Sequence, residues 1–367
     1  MIGAAAKSVI QSHFDDLPRH LILFVTSRCN LKCKQCFYWE DMDLNQGKFD
    51  IKMEEVRALA SSKTFQKLMW MQIAGGEPFI RKDLVDIIQA FSRLPELRYV
   101  TIPTNGYFID QVLEGAEAMA KACPNQFINI DISIDGMHEA HDHIRGVKGS
   151  FERLCKTLSR LRELRERTPN LGVGVILVQM SQNQKELEPL LDYVIRDLRP
   201  DHVALNMVRG NPREKISGEG IDMDVYERLF QRIEDAHVSG ELKDFRSGMG
   251  MLNVAKDSLL HDIVLNTRKS GFQMYCKAGT LSLVIKDDCG VYPCEILTDK
   301  MGNIREQSID EIWNSEASKK IRHFIKDTKC FCTHECFFTS NIAFTPSTYP
   351  KLFAKTAELS FKRARAH

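Results

Sequence analysis

The stretch HLILFVTSRCNLKCKQC, residues 20–36, joins an apolar run to the closely spaced cysteines Cys29, Cys33 and Cys36. The apolar run is typical of a buried β-strand, so the cysteines lie on the loop that leaves its carboxyl end. Ligands bind at this end of the strands in β/α folds. Three thiols suit neither a disulfide ladder nor a closed zinc site, which takes four protein ligands. A four-iron cubane on three cysteines would leave one iron open to a ligand from outside.

The composition is that of a soluble globular protein: of 367 residues, 43% are hydrophobic and 27% charged, and the net charge is +1. A nucleic-acid partner would require a stronger basic excess. No apolar stretch approaches the roughly 18 residues that span a bilayer. The amino terminus, MIGAAAKSVIQSHFDD, lacks the long apolar region of a signal peptide. We therefore expect a cytoplasmic protein whose 11 cysteines stay reduced and serve metal or redox chemistry.

Six strand-like runs alternate with helical stretches between about residues 21 and 205. The runs are LILFVT, LMWMQIAG, RYVTIPT, FINIDISID, LGVGVILVQ and HVALNMV, and the helical stretches include residues 53–62, 82–93, 151–167 and 185–197. Strands that alternate with helices pair in parallel through right-handed crossovers. The pattern predicts an α/β fold, either a doubly wound sheet or an open β/α barrel.

The run FINIDISID, residues 127–135, is polar on one face. Its polar face carries Asn129, Asp131, Ser133 and Asp135, and its other face carries isoleucines. Strands of a parallel α/β protein are usually apolar on both faces. A polar face therefore favours an open barrel whose interior holds water or a ligand; an edge strand with one solvated face is the alternative.

The alternation of strand-like and helical stretches ends after about residue 235. A second cysteine group follows, around a predicted hairpin, LSLVIKDDCGVYP; it consists of Cys276, Cys289, Cys294, Cys330, Cys332 and Cys336. The last segment, 349–367, is predicted to form a basic helix. Such a helix is either solvated or in peripheral contact with an anionic membrane.

The arrangement C-x3-C-x2-C after the first strand resembles the radical S-adenosylmethionine (radical SAM) superfamily. Further motifs follow in the order typical of that family. GGEP ends the second strand, TNG the third and SIDG the fourth, and HDHIRG comes next. The resemblance covers about residues 21–207 and 276–336.

The resemblance implies that Cys29, Cys33 and Cys36 hold a 4Fe–4S cluster and that S-adenosylmethionine (SAM) chelates its open iron. The residues it implies around SAM or substrate are Gly75, Gly76, Glu77, Pro78, Asn105, Ser133, Asp135 and Arg145. Glu77 would receive the SAM amino group, or alternatively only cap a helix. Arg145 could instead form a surface ion pair. Gln35 departs from the family pattern, which has an aromatic residue or histidine there, so the residue that lies near adenine in the family is not matched in this chain.

The segment CGVYPCE resembles the hairpin of twitch and SPASM extensions, which bind auxiliary 4Fe–4S clusters. Six cysteines fall short of the eight that two cysteine-ligated cubanes need. We therefore expect one auxiliary cluster, held by Cys276, Cys294 and Cys336 with either Cys330 or Cys332. Cys289 is expected to be a local substitution. The competing interpretation is a zinc ion bound by Cys330, Cys332, His334 and Cys336.

These observations predict an incomplete (β/α)6 TIM-like barrel at residues 15–235, a twitch- or SPASM-like extension at 236–345 and a basic helix at 346–367. A radical SAM enzyme would cleave SAM reductively and abstract a hydrogen atom from its substrate.

Only 28 residues precede Cys29, too few for a leader-peptide-binding domain. This favours a small-molecule or lipid-linked substrate, with peptide or protein maturation as the alternative. A reducing partner such as flavodoxin or ferredoxin would supply electrons. A non-catalytic iron–sulfur or zinc redox sensor is the alternative from another class.

Overall fold

A computed structural model describes residues 15–243 and 250–366. Most of the amino-terminal segment on which the signal-peptide argument rests lies outside these residues. Within the described ranges, no helix is both long and apolar enough to cross a membrane.

The described strands form one sheet in the order β6-β5-β4-β3-β2-β1-β7-β8-β9. The strands are β1 (His20–Phe24), β2 (Trp70–Ala74), β3 (Tyr99–Thr104), β4 (Phe127–Ser133), β5 (Leu171–Gln179), β6 (His202–Met207), β7 (Ser282–Ile285), β8 (Gly290–Tyr292) and β9 (Gly302–Asn303). All neighbours from β6 through β1 to β7 pair in parallel, whereas β8 and β9 are antiparallel. The six strands predicted between residues 21 and 205 are thus confirmed.

Helices connect and cover these strands. They are α1 (Trp39–Asn45), α2 (Met53–Ser61), α3 (Leu84–Phe91), α4 (Ile109–Ala122), α5 (His138–Arg145), α6 (Ser150–Glu166), α7 (Leu187–Tyr193), α8 (Met223–Ser239), α9 (Met251–Ser270), α10 (Ile309–Asn314), α11 (Glu316–Asp327), α12 (Glu335–Ala343) and α13 (Tyr349–Ala366). The predicted helical stretch 185–197 is α-helical only to Tyr193 and ends in a wider π turn, Val194–Leu198.

The alternation along β4 separates a core from a cavity. Ile128, Ile130 and Ile132 are fully buried in the main hydrophobic core. Asn129, Asp131 and Ser133, on the opposite face, line a central cavity of about 600 Å³. Side chains from β1, β2, β3, β5 and β6 line the same cavity, so the open-barrel interpretation holds and the polar face is not a solvated edge.

The carboxy-terminal extension continues the barrel sheet. The predicted hairpin forms as β7 and β8, and β7 pairs in parallel with β1, from His20 opposite Ser282 onward. The sequence did not predict this pairing. It brings the second cysteine group beside the first strand and therefore beside the first cysteine loop. The domain limits 15–235, 236–345 and 346–367 stay predictions.

Candidate functional site

The loop that carries Cys29, Cys33 and Cys36 is held by the GGEP segment. The amide of Gly76 donates to the carbonyl of Thr26, and the amide of Glu77 to the carbonyl of Arg28, both at 2.8 Å. A Cβ on Gly75 would overlap the Thr26 carbonyl oxygen, and one on Gly76 the Arg28 carbonyl oxygen. Gly75 also has a φ of 135°, which L side chains rarely adopt. The two glycines therefore allow the end of β2 to touch the cysteine loop.

Cys29, Cys33 and Cys36 all line the central cavity. Burial raises the pKa of each thiol, that of Cys36 to about 11. The amide of Leu31 donates to Cys29 Sγ at 3.5 Å, and Arg145 Nη1 lies 3.7 Å from Cys33 Sγ. Both contacts favour the thiolate, the form that binds metal. A set of three thiols with nearby N–H donors fits a 4Fe–4S cluster with one open iron.

Arg145 is anchored behind the cysteines by a buried network. Its Nη2 lies 2.6 Å from Asp135 Oδ2, and Gln35 Nε2 donates to the same oxygen at 2.5 Å. Burial lowers the pKa of Arg145, but the Asp135 carboxylate and Cys33 more than offset this, and the net shift is upward. Arg145 is only 8% exposed, so the surface ion-pair alternative is wrong. Asp135 is fully buried and acts on the site through Arg145 and Gln35.

Glu77 both caps a turn and faces the cavity. Its carboxylate accepts hydrogen bonds from Thr104 Oγ1 at 2.8 Å, from the Asn105 amide at 2.8 Å and from the Phe79 amide at 3.2 Å. An ionised carboxylate offers about four acceptor positions, so one remains for a donor in the cavity. The Asn105 side chain donates to Asn30 Oδ1 at 2.9 Å, which ties the TNG turn to the cysteine loop.

Ser133 lines the cavity with Gly75, Gly76, Glu77 and Asn105. Pro78 is buried at the start of a short 3-10 turn, Pro78–Ile80. The structure thus brings together Gly75, Gly76, Glu77, Asn105, Ser133 and Arg145 around the first cysteine loop, with Asp135 and Pro78 supporting them from behind.

The second cysteine group packs on the same small apolar cluster as the first. That cluster, which we call the inter-site cluster, has Ile22, Phe24, Tyr38, Met42, Ala278, Val284, Tyr292, Ile325 and Phe337 at its centre. Two cysteines of the first group, Cys29 and Cys36, pack against this cluster. Four cysteines of the second group also pack against it: Cys276, Cys294, Cys330 and Cys336. Cys289 lies elsewhere, buried in the main core with its thiol 3.4 Å from Glu55. Its predicted role as a local substitution agrees with this position.

Four thiols of the second group influence one another. The pKa of Cys332 is raised to about 12, chiefly by burial and in smaller part by the nearby thiols of Cys276, Cys294 and Cys330. Burial also raises the pKa of Cys336 to about 12, with Glu295 and Glu335 adding to the effect and Arg209 opposing it. Cys336 alone among these five lines the central cavity. The choice of ligands among them stays a prediction.

The zinc alternative does not fit this geometry. Among the described residues, no group of three or more His, Cys, Asp or Glu side chains is arranged to hold a single metal ion. Its proposed ligand His334 is hydrogen-bonded through Nε2 to Glu295, and its buried Nδ1 has no hydrogen-bond partner among the described residues, so His334 by itself does not decide between the two metals. A cubane is larger than an ion and separates its thiolates, so the donor set fits an iron–sulfur cluster better.

A buried charged group between the two cysteine sites was not predicted from the sequence. Arg209 Nη2 lies 3.3 Å from Glu295 Oε2, and the Arg209 guanidinium lies 4.9 Å from the centre of the Phe37 ring. Burial raises the pKa of Glu295, but Arg209 and His334 lower it to about 2. In the sequence, Glu295 follows Cys294 and Phe37 follows Cys36, and this adjacency could have indicated that both side chains lie near the cysteine sites. Nothing in the sequence around Arg209, which follows β6, indicated its position.

Family models match both parts of the chain. The radical SAM superfamily model matches residues 23–194, and the SPASM model, an iron–sulfur cluster-binding domain, matches residues 276–337. The predicted resemblance covered nearly the same ranges.

Curated relatives are similar at low identity. AlbA, the antilisterial bacteriocin subtilosin biosynthesis protein of Bacillus subtilis, is 27% identical over 86% of this chain and 65% of its own length. The Fe-coproporphyrin III synthase of Methanosarcina barkeri is 27% identical over 61% of this chain and 56% of its own length. The cysteine-type anaerobic sulfatase-maturating enzyme of Clostridium novyi is 22% identical over 94% of both chains. The chain thus spans less than two thirds of the first two relatives.

Solved structures share the fold. Streptococcus suis SuiB bound to S-adenosylmethionine matches with a TM-score of 0.61 and 18% identity, over 87% of this chain and 71% of SuiB. SuiB bound to its precursor peptide SuiA matches with a TM-score of 0.59. The solved structures show the same fold, and the matched models show that the chain belongs to the radical SAM superfamily and carries a SPASM iron–sulfur cluster-binding domain.

Proposed function

We propose that this protein is a radical SAM enzyme that modifies a peptide or protein substrate in the central cavity. The observation that carries the proposal is the loop of Cys29, Cys33 and Cys36, which presents all three of its thiols to that cavity. Bound together, the cluster and SAM would supply a 5′-deoxyadenosyl radical, which removes a hydrogen atom from the substrate.

The chain's own residues would bind SAM and exclude water. The free acceptor position of Glu77 suits the SAM amino group, because the other three positions are taken by protein donors. The Arg145 guanidinium, 3.7 Å from Cys33 Sγ, would offset the negative charge of the bound thiolates. Ile176 and Val178 contribute apolar walls to the cavity, which limits the access of other hydrogen donors.

The peptide substrate is inferred from the relatives. AlbA acts in bacteriocin biosynthesis, the Clostridium novyi relative matures sulfatases, and SuiB binds a precursor peptide. The sequence-based preference for a small-molecule or lipid-linked substrate rested on the short segment before Cys29. Because the Fe-coproporphyrin III synthase is also similar to this chain, a small molecule is the second candidate substrate.

We further propose one auxiliary 4Fe–4S cluster in the SPASM domain, with Cys276, Cys294 and Cys336 as ligands and Cys330 or Cys332 as the fourth. Four thiolates would complete its coordination, so this cluster would carry electrons and not bind SAM. Of these five cysteines only Cys336 lines the central cavity, whereas all three cysteines of the first loop do, and this supports the difference from the first site.

The test is anaerobic reconstitution with iron, sulfide and a reductant, followed by incubation with SAM. We expect 5′-deoxyadenosine and methionine as products. Substrate class is tested by adding a library of short peptides and, separately, tetrapyrrole and lipid-linked candidates. Peptides should stimulate 5′-deoxyadenosine formation and, when deuterated, transfer deuterium to it. Stimulation by small molecules alone would replace the peptide proposal, and absence of SAM cleavage in protein with intact clusters would refute the enzymatic one.

A further inference from the structure

Exposed aromatic side chains are next to the cysteines of the second group in the sequence. Tyr275 is 52% exposed and precedes Cys276, and Phe331 is 53% exposed and lies between Cys330 and Cys332. Single exposed hydrophobic residues are common on protein surfaces, but exposed apolar side chains that form one patch mark interaction sites. Their position next to three of the cysteines places any ligand of this surface close to the metal site.

Two chain segments meet to form this surface. The Phe272 ring lies 5.1 Å from the Tyr275 ring, and Lys329 Nζ lies 5.7 Å from the centre of the Phe272 ring. A Cβ on Gly271 would lie 3.6 Å from Phe331. We call residues 268–275 and 326–332 together the aromatic–basic patch.

The patch is positively charged. Residues 268–275 contain Arg268 and Lys269 and no acidic residue, and residues 326–332 contain Lys326 and Lys329 against Asp327 alone. The whole chain carries a net charge of only +1, so this concentration of positive charge is local. All five of these side chains are exposed. An exposed aromatic centre with a basic rim suits a protein partner of negative charge.

The inter-site cluster connects the patch to the first cysteine loop. Cys276, which follows the patch segment 268–275, and Cys330, which lies within 326–332, pack on this cluster, and Cys29 and Cys36 pack on it as well. One apolar cluster therefore contacts both cysteine groups. Electrons that enter at the patch can reach the SAM site through it.

We propose that the aromatic–basic patch docks an acidic electron-carrier protein of the flavodoxin or ferredoxin class, and that electrons enter the enzyme through the auxiliary cluster. The proposal rests on the auxiliary cluster of the proposed function. In the step itself, one electron passes from the reduced carrier to the oxidised auxiliary cluster. The carrier is thereby oxidised by one electron, and no bond or proton is transferred. Weak electron-transfer complexes of this kind have small interfaces, so a patch formed by two short segments suffices.

The experiment measures reduction of the reconstituted full-length chain by reduced flavodoxin in a stopped-flow spectrometer, at low and high salt. The patch variant is Arg268→Glu/Lys269→Glu/Lys326→Glu, which changes no residue next to a cysteine. The matched control is Lys351→Glu/Lys362→Glu/Arg365→Glu on α13, which reverses three exposed charges on another helix. Dithionite, a small reductant, reports whether each variant's clusters remain reducible, and iron analysis reports whether they are present.

We expect the second-order rate constant with flavodoxin to fall at least about tenfold in the patch variant and to lose most of its salt dependence, since charge steering contributes about 10–10³-fold to association. Reduction by dithionite and the behaviour of the control should not change. An unchanged flavodoxin rate in a patch variant with full iron content would overturn the docking proposal alone. An equal fall in the control would also overturn it, because the effect would then be one of net charge.

Two further outcomes would also decide against the proposal. If the patch variant differs only in self-association, measured by sedimentation, the patch is a contact between copies of this chain. If the parent protein holds no iron at the second site, the auxiliary cluster of the proposed function fails and the docking proposal fails with it. A Cys29→Ala/Cys33→Ala/Cys36→Ala protein that flavodoxin reduces as fast as the parent would support entry at the auxiliary cluster directly.

Discussion

The two cysteine sites share one apolar cluster but differ in what surrounds them. The first site has three thiols that face a cavity, Glu77 faces the same cavity, and the buried Arg145–Asp135 pair lies behind the cysteines. The second site has five thiols, and only Cys336 reaches that cavity. An incomplete ligand set beside a cavity suits chemistry on an external ligand, whereas a surplus of thiols under an exposed patch suits electron transfer. The difference lies in access and in ligand number, not in the kind of donor.

The largest expected effect is the loss of the first cluster while the auxiliary cluster is retained. Cys29→Ala/Cys33→Ala/Cys36→Ala should abolish SAM cleavage, because the SAM-binding cluster loses every protein ligand. About four irons per chain should remain, as one auxiliary cubane requires. Iron and sulfide analysis and 5′-deoxyadenosine assays measure both quantities. Cys155→Ala, outside both sites, serves as the control. Zinc with no residual iron, or clearly more than four irons, would contradict the single auxiliary cluster.

A change in the backbone contact should affect the first site alone. In Gly76→Ala, the new Cβ would overlap the Arg28 carbonyl oxygen and displace the cysteine loop. We expect the first cluster to be lost or unstable while the auxiliary cluster persists, so iron content falls by about half. Gly218→Ala is the matched control, because nothing lies within 4 Å of a Cβ there. Equal losses at both sites would show that the sites fold as one unit.

A smaller effect is expected for SAM binding. Glu77→Gln keeps the size of the side chain but removes its charge and one acceptor. It should weaken SAM binding by about 1–3 kcal/mol, the cost of a charge-assisted hydrogen bond. Isothermal titration of the reconstituted protein measures this, and cluster absorbance should stay as in the parent. Equal SAM affinity would mean that Glu77 only holds the turns at Phe79 and Asn105.

The smallest effect is expected at Gln35, the residue that departs from the family pattern. In Gln35→Ala, Asp135 loses a 2.5 Å hydrogen bond inside the protein. We expect the free energy of unfolding to fall by about 1–3 kcal/mol, because a buried acceptor loses its donor. Denaturant unfolding measures it, with the exposed Gln307→Ala as control, expected within about 0.5 kcal/mol of the parent. A fall of the same size in the control would remove Gln35 from the network argument.

Local patterns predicted most of the barrel and most of the first site. Six strands lie where apolar and alternating runs placed them, and the polar face of FINIDISID does face the cavity. Motifs at the ends of these strands converge because parallel strands bring their carboxyl ends to one edge. Asp135 was grouped with residues near SAM, yet it lies behind Arg145, because alternation specifies a face and not the depth of a side chain.

The sequence by itself determined which elements form, since periodicity and turn residues act over short distances, and it determined that three cysteines follow the first strand. Only the tertiary structure decided how distant segments meet. The pairing of β7 with β1 joins residues more than 250 positions apart and places both cysteine groups on one apolar cluster. Arg209, Glu295 and His334 meet only after that pairing, because the buried Arg209–Glu295 ion pair is stabilised by partners that the local sequence does not contain.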